Sequence, residues 1–403
     1  MNKQIGYSQM TSKERMMCAM KNGTPDRIPV APDISNMVPS RLTGKPFWEI
    51  YVNNNPLLGH AYMDAVRYFG MDGWYIYGHV DYKTDVVLET KREIEKYSDH
   101  WIVKDIVKTP AGDLRSTQYI GSGNPPTNTE KYIKDFKNDF EKLRWLFRPI
   151  TGYDTTQYNI DKKIVGEDAV ICCGVSPPGF QTFLGYFNGN LEALVYAYYD
   201  EPELFKELCE MHIHRELQKL DLLLDLKVDS ILTGGSGSIT LQSMELWREL
   251  SLPALKKITS ACKEANVISG IHSCGLQSGM VEACAFETDL DYINPLEIPP
   301  MGDCNLAQLK KSCGKKLCLM GNIHTTDIML MGTASDVRRE SLKAILDAGE
   351  NGGFILSTGD QCGRDTPDEN IYTMINTAKE FGKYPIDTEQ IKNEINIKET
   401  NHG

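Results

Sequence analysis

Short apolar runs of five to seven residues recur along the chain, and longer amphipathic stretches separate them. The runs lie at 28–34, 73–78, 169–175, 230–235, 267–271, 292–297, 317–323 and 353–357. Their continuous apolar character, without alternation, predicts parallel strands buried on both faces. The intervening segments at 56–70, 202–226, 244–264, 279–286, 306–311, 335–348 and 367–381 carry the three-to-four-residue apolar spacing of helices. At the N-terminal end, Thr11 and Glu14 form a capping box that predicts a helix to about Lys21, stopped by Asn22-Gly23 and Pro25. Eight strands, nearly all followed by a helix, predict a closed α/β (β/α)8 TIM barrel. No GxGxxG follows the first strand, so a doubly wound dinucleotide fold has little support.

One stretch breaks the period. Residues 84–120 alternate apolar with polar around a PAGD turn at 110–113. This predicts a small, half-exposed antiparallel insertion after the second strand. Residues 1–383 therefore read as one barrel domain with that insertion, and 384–403 as a polar C-terminal tail.

Composition narrows the function. Across 403 residues the net charge is −12. Nucleic acid and anionic membranes need clustered positive charge, so neither is expected as a partner. The first residues contain no apolar signal segment, and no run reaches the roughly 18 apolar residues of a membrane helix, so a cytoplasmic protein is expected. Eleven scattered cysteines have no framework spacing, which points to reduced, buried thiols and fits an anaerobic host. Cys172 and Cys173 lie inside a strand and read as core, and Tyr196, Tyr198 and Tyr199 read as helix packing.

The chemistry gathers at the strand ends, where a barrel places its site. The stretch GIHSCG at 270–275 puts His272 and Cys274 two residues apart in extended chain, so both side chains can face one ion. His79, Asp81 and His324 also follow strands, Asn322 lies at the end of one, and all four are candidate pocket residues. Gly235 lies in GGSGS at 234–238, which can bind phosphate through its amides or let a large flat ligand approach the backbone.

Several segments together carry a family resemblance. They are KNGTPDRIPV (21–30), GVSPPGFQTFLGY (174–186), LWRELSLPALKKI (246–258), HSCG (272–275), MGNI (320–323), GGFILSTG (352–359) and DTPDENI (365–371). In order and spacing over about residues 10–383 the chain resembles the uroporphyrinogen decarboxylase superfamily. That resemblance implies a (β/α)8 barrel and one of two chemistries. The first is decarboxylation of a porphyrinogen. The second is zinc-dependent methyl transfer to or from a corrinoid held by a partner protein. The decarboxylases carry an arginine-rich segment after the first strand, but here DISNMVPSRLTGKPFW supplies only Arg41 and Lys45. The methyltransferases carry His-x-Cys after the fifth strand, matched by His272 and Cys274, and a cysteine after the eighth. A gapless alignment puts that last position on Asp360, two residues before Cys362. The resemblance implies a catalytic zinc held by His272, Cys274 and a third ligand, with one position open; Cys362 can supply the third as a thiolate, and Asp360 and Glu297 stay open as oxygen ligands.

The resemblance therefore implies a zinc-dependent enzyme that takes a methyl group from a small methylated compound, best an aryl methyl ether, to the Co(I) corrinoid (cobalamin) of a partner protein. Methylcobamide:thiol transfer, porphyrinogen decarboxylation and non-catalytic tetrapyrrole binding are the alternatives.

Overall fold

The computed structural model describes residues 9–400. The strands, in chain order, are β1 (Gly73–Gly78), β2 (Asp81–Thr84), β3 (Thr90–Lys96), β4 (His100–Thr109), β5 (Gly112–Gly121), β6 (Thr127–Glu130), β7 (Ile150–Asp154), β8 (Ala169–Gly174), β9 (Ser230–Gly234), β10 (Ile268–His272), β11 (Tyr292–Asn294), β12 (Cys318–Ile323) and β13 (Phe354–Thr358). Seven of them form one curled parallel sheet in the order β1-β8-β9-β10-β11-β12-β13.

The expected first strand, 28–34, is reduced to a single bridge between Val30 and Leu356. Its sequence explains the loss: Pro29 and Pro32 have no N–H to give to a ladder. The remaining groups still join the two edges. Ala31 N–H donates to the Leu356 carbonyl and Leu356 N–H to the Pro29 carbonyl, while Asp72 N–H donates to the Val30 carbonyl. The Asp72 carboxylate fastens the seam by accepting from Val30 N–H (2.9 Å), Arg15 (2.7 Å) and Arg27 (2.7 Å).

Inside the barrel, the Trp74 indole donates to the Tyr292 hydroxyl at 3.1 Å, and Cys172 also meets that hydroxyl, at 3.7 Å. The Tyr292 ring lies against Gly270, where a Cβ would fall 2.1 Å from it. Glycine is the residue that lets the ring fill the barrel two positions before His272.

The antiparallel insertion is present as a four-stranded sheet, β3-β4-β5-β6. It leans on the strand-end face of the barrel. Ser122 accepts from Phe47 N–H and Gly123 accepts from Arg364, which lies in the loop after β13. Within residues 384–403, expected as a polar tail, a helix spans Thr388–Thr400. It buries Ile391 and Ile395, four residues apart, and Arg338 reaches its Glu394.

Candidate metal centre

His272 ends β10, and Cys274 follows it where the chain leaves the sheet. The neighbouring strand ends hold both. Gly235 N–H donates to the His272 carbonyl (2.8 Å), and Gly237 N–H donates to the Cys274 carbonyl (3.2 Å). Asp360 arrives from the loop after β13. Its backbone carbonyl accepts from the Thr358 hydroxyl at 2.7 Å, and that hydroxyl in turn accepts from Asp33 N–H. Asp360 has φ 154°, a region that glycine adopts readily and other residues rarely.

These three side chains meet: one ligand atom from each of His272, Cys274 and Asp360 lies within 4.8 Å of the others. Ligand atoms around a tetrahedral zinc are about 3.3–3.8 Å apart, so small rotamer changes close the set. The electrostatics fit a cation. Burial, then the Asp360 charge, pushes the Cys274 thiol up. Burial pushes the Asp360 carboxyl up, and the Asp33 charge adds to it while His272 opposes it. Glu297, itself buried, is pushed up by burial and by the Asp360 charge, against the N–H of Gly275 that its carboxylate accepts. Crowded anionic groups of this kind destabilise one another until a dication reverses the balance. The Nδ1 atom of His272 is buried with no hydrogen-bond partner. A nitrogen, a sulfur and a carboxylate oxygen are a zinc-type donor set, so the residues present fit the ion.

The other expected residues fall elsewhere. Cys362 does not join the cluster. It is wholly buried, its N–H donates to the Asp33 carbonyl at 2.7 Å, and burial pushes its thiol up to about 12. Glu297 borders the cluster without joining it. Gly235 sits beside His272, its N–H bound to the His272 carbonyl, with the Gln181 side chain against it. Asn322 is buried and donates to the Leu296 carbonyl at 3.0 Å. His324 Nδ1 accepts from Asp327 N–H, which leaves the ring proton on Nε2. Asn322 and His324 line a separate cavity of about 320 Å³. His79 and Asp81 pair with each other at 3.0 Å beside another cavity of about 460 Å³.

Two residues near the cluster escaped the sequence reading. Asp33 is a buried acid whose charge reaches Asp360. Gln181 has a buried Nε2 with no partner, its Oε1 being engaged by Gln242. Asp33 was detectable as an acid at the end of the first apolar run. Gln181 had no local signal.

The uroporphyrinogen decarboxylase (URO-D) family profile matches residues 170–381. The chain belongs to that family. The matched segment contains His272, Cys274 and Asp360. The methylcobamide:CoM methyltransferase MtbA of Methanosarcina mazei is 28% identical over 139 residues, which are 34% of this chain and 37% of that relative. The match thus spans little over a third of the relative's length. A solved methyltransferase from Methanosarcina mazei superposes with TM-score 0.64 at 18% identity, covering 92% of this chain and 99% of that one. It shows that the two share a fold. Among the described residues, no helix is long and apolar enough to cross a membrane.

Proposed function

We propose that this chain is a zinc-dependent methyltransferase. It would move the methyl group of a small methoxylated compound, best an aryl methyl ether, to the Co(I) corrinoid of a partner protein. The observation that carries this reading is the meeting of His272, Cys274 and Asp360 at the barrel mouth, with His272 Nδ1 unpartnered. The methyltransferase named among its relatives supports it.

His272, Cys274 and Asp360 would hold the ion, and one position would stay open for substrate. Zinc, when bound, supplies a Lewis acid for the ether oxygen. Cys274 and Asp360 together contribute two negative charges, which would balance the dication. A site with one thiolate and one carboxylate is harder than one with two thiolates, and this favours an oxygen donor over a thiol.

Decarboxylation of a polycarboxylate needs free cations at the mouth. Arg41, the sole arginine of the segment after the first strand, is paired with Asp368 at 2.5 Å. That pairing disfavours the decarboxylase reading.

The test is a spectroscopic assay with zinc-loaded protein, chemically reduced cobalamin in place of the partner, and a panel of methoxybenzenes. Loss of the Co(I) absorbance and appearance of methylcobalamin are expected with at least one ether, and neither with His272→Ala. Methylation of thiols from methylcobalamin, without any demethylation of ethers, would move the assignment to the thiol reaction. Activity with neither class would refute methyl transfer.

A further inference from the structure

A second cavity, about 460 Å³, opens beside the ends of β1 and β8. It lies on the other side of the sheet from the barrel interior. Cys173 lines it, whereas its neighbour Cys172 points inward to the Tyr292 hydroxyl. The helix Pro202–Asp225 presents Arg215, Lys219 and Leu223 to it, at the four-residue spacing that aligns one helix face.

The cavity brings two cations, Arg215 and Lys219, to one wall. Arg215 gives Nη1 to the backbone carbonyls of Leu146 (2.6 Å) and Arg148 (3.2 Å), which orients the guanidinium without neutralising it. It has no ion-pair partner among the described residues. Lys219 leans on Glu216, but that carboxylate is buried and also accepts from Ser176 N–H. The lining acid, Asp81, is paired with His79. Arg215 and Lys219 are thus set against Asp81 and Glu216, and the cation left without an ion-pair partner among the described residues is Arg215. Tyr82 and Leu223 add an apolar wall.

We propose that this cavity is a binding site for a small organic carboxylate, separate from the metal cluster. The carboxylate lies between Arg215 and Lys219, since a guanidinium fork matches a planar oxyanion. The body of the ligand packs on Tyr82 and Leu223. The volume lies within the range of small-molecule sites and greatly exceeds what one phosphate fills.

Gly174 provides a clean test, because a Cβ built there meets nothing within 4 Å and so projects into open space. The full chain is titrated calorimetrically with acetate, succinate, benzoate and inorganic phosphate at fixed ionic strength. At least one organic acid is expected to bind 1:1. Lys219→Gln should weaken it about tenfold, Gly174→Leu should abolish it, and His272→Ala should leave it unchanged. Arg215→Gln also frees two loop carbonyls and can cost folding, so the Lys219 and Gly174 variants decide the matter. Four results overturn the proposal. They are binding of none of the acids, binding indifferent to Lys219→Gln and Gly174→Leu, binding lost with His272→Ala, or phosphate binding as tightly as the best acid.

Discussion

Replacing Asp360 and Cys362 separately discriminates between two ligand sets that lie two residues apart in the chain. Structural zinc contributes about 10–16 kcal/mol over four ligands, or about 2.5–4 kcal/mol per ligand. At about 1.4 kcal/mol per decade, loss of one true ligand weakens zinc about 10²–10³-fold. Asp360→Gly should show that loss. It should also keep or raise Tm, because the φ of 154° favours glycine. Cys362→Ala should leave zinc affinity within about threefold. Its thiol is wholly buried beside the Thr358 and Thr366 side chains, away from the cluster, so the cost is mainly one of packing. That cost is about 1 kcal/mol if the sulfur counts as roughly one methylene. For a chain of this length, at about 2 cal/mol/K per residue, it lowers Tm by about 1 °C. The assay is competition for zinc against a chromogenic chelator, with Tm recorded on the same samples. If Cys362→Ala loses zinc while Asp360→Gly retains it, the assignment of Asp360 is wrong and the loop rearranges on binding.

Other outcomes follow from the same structure. Asp72→Asn removes the fully buried carboxylate shared by Arg15, Arg27 and Val30 N–H. Arg15 keeps Asp26 at 2.6 Å, so the guanidinium left without its carboxylate is the half-buried Arg27, and the cost is at most about 3–5 kcal/mol, read as a fall in Tm or in the urea midpoint. A stability unchanged within 1 kcal/mol, about the spread of surface substitutions, would mean that the seam does not depend on this network. His212 is buried, and its Nε2–H donates to the Ser176 carbonyl at 2.8 Å. Burial lowers its pKa below the ordinary value of about 6.5, with Glu216 opposing. The unfolded chain then binds the proton more readily, so stability should fall as pH drops below about 6.5 and level off once the folded value is passed. Melting curves from pH 7.5 to 5 should show this slope, and His212→Gln should flatten it; an unchanged slope in the variant would assign it to other groups.

The sequence by itself determined the periodicity that builds the sheet, the capping box at Thr11, the insertion, and the candidacy of His272 and Cys274. All of these are local: strand burial, a three-residue cap and an i, i+2 pair are written in consecutive residues. Tertiary structure decided the rest. Whether 28–34 is a strand depended on partners more than 300 residues away, at Leu356, with Pro29 and Pro32 removing two donors. The helix Thr388–Thr400 exists as packing of Ile391 and Ile395, a signal of two residues in a polar stretch. The choice between Asp360 and Cys362 was likewise not local. Asp33 takes the N–H of Cys362 and gives its own N–H to Thr358, and Thr358 in turn fixes the Asp360 carbonyl. Those bonds turn one side chain inward and the other to the cluster. A sequence lists the donors available to a site, but the side that each one faces is set by hydrogen bonds to segments that only the closed barrel brings together.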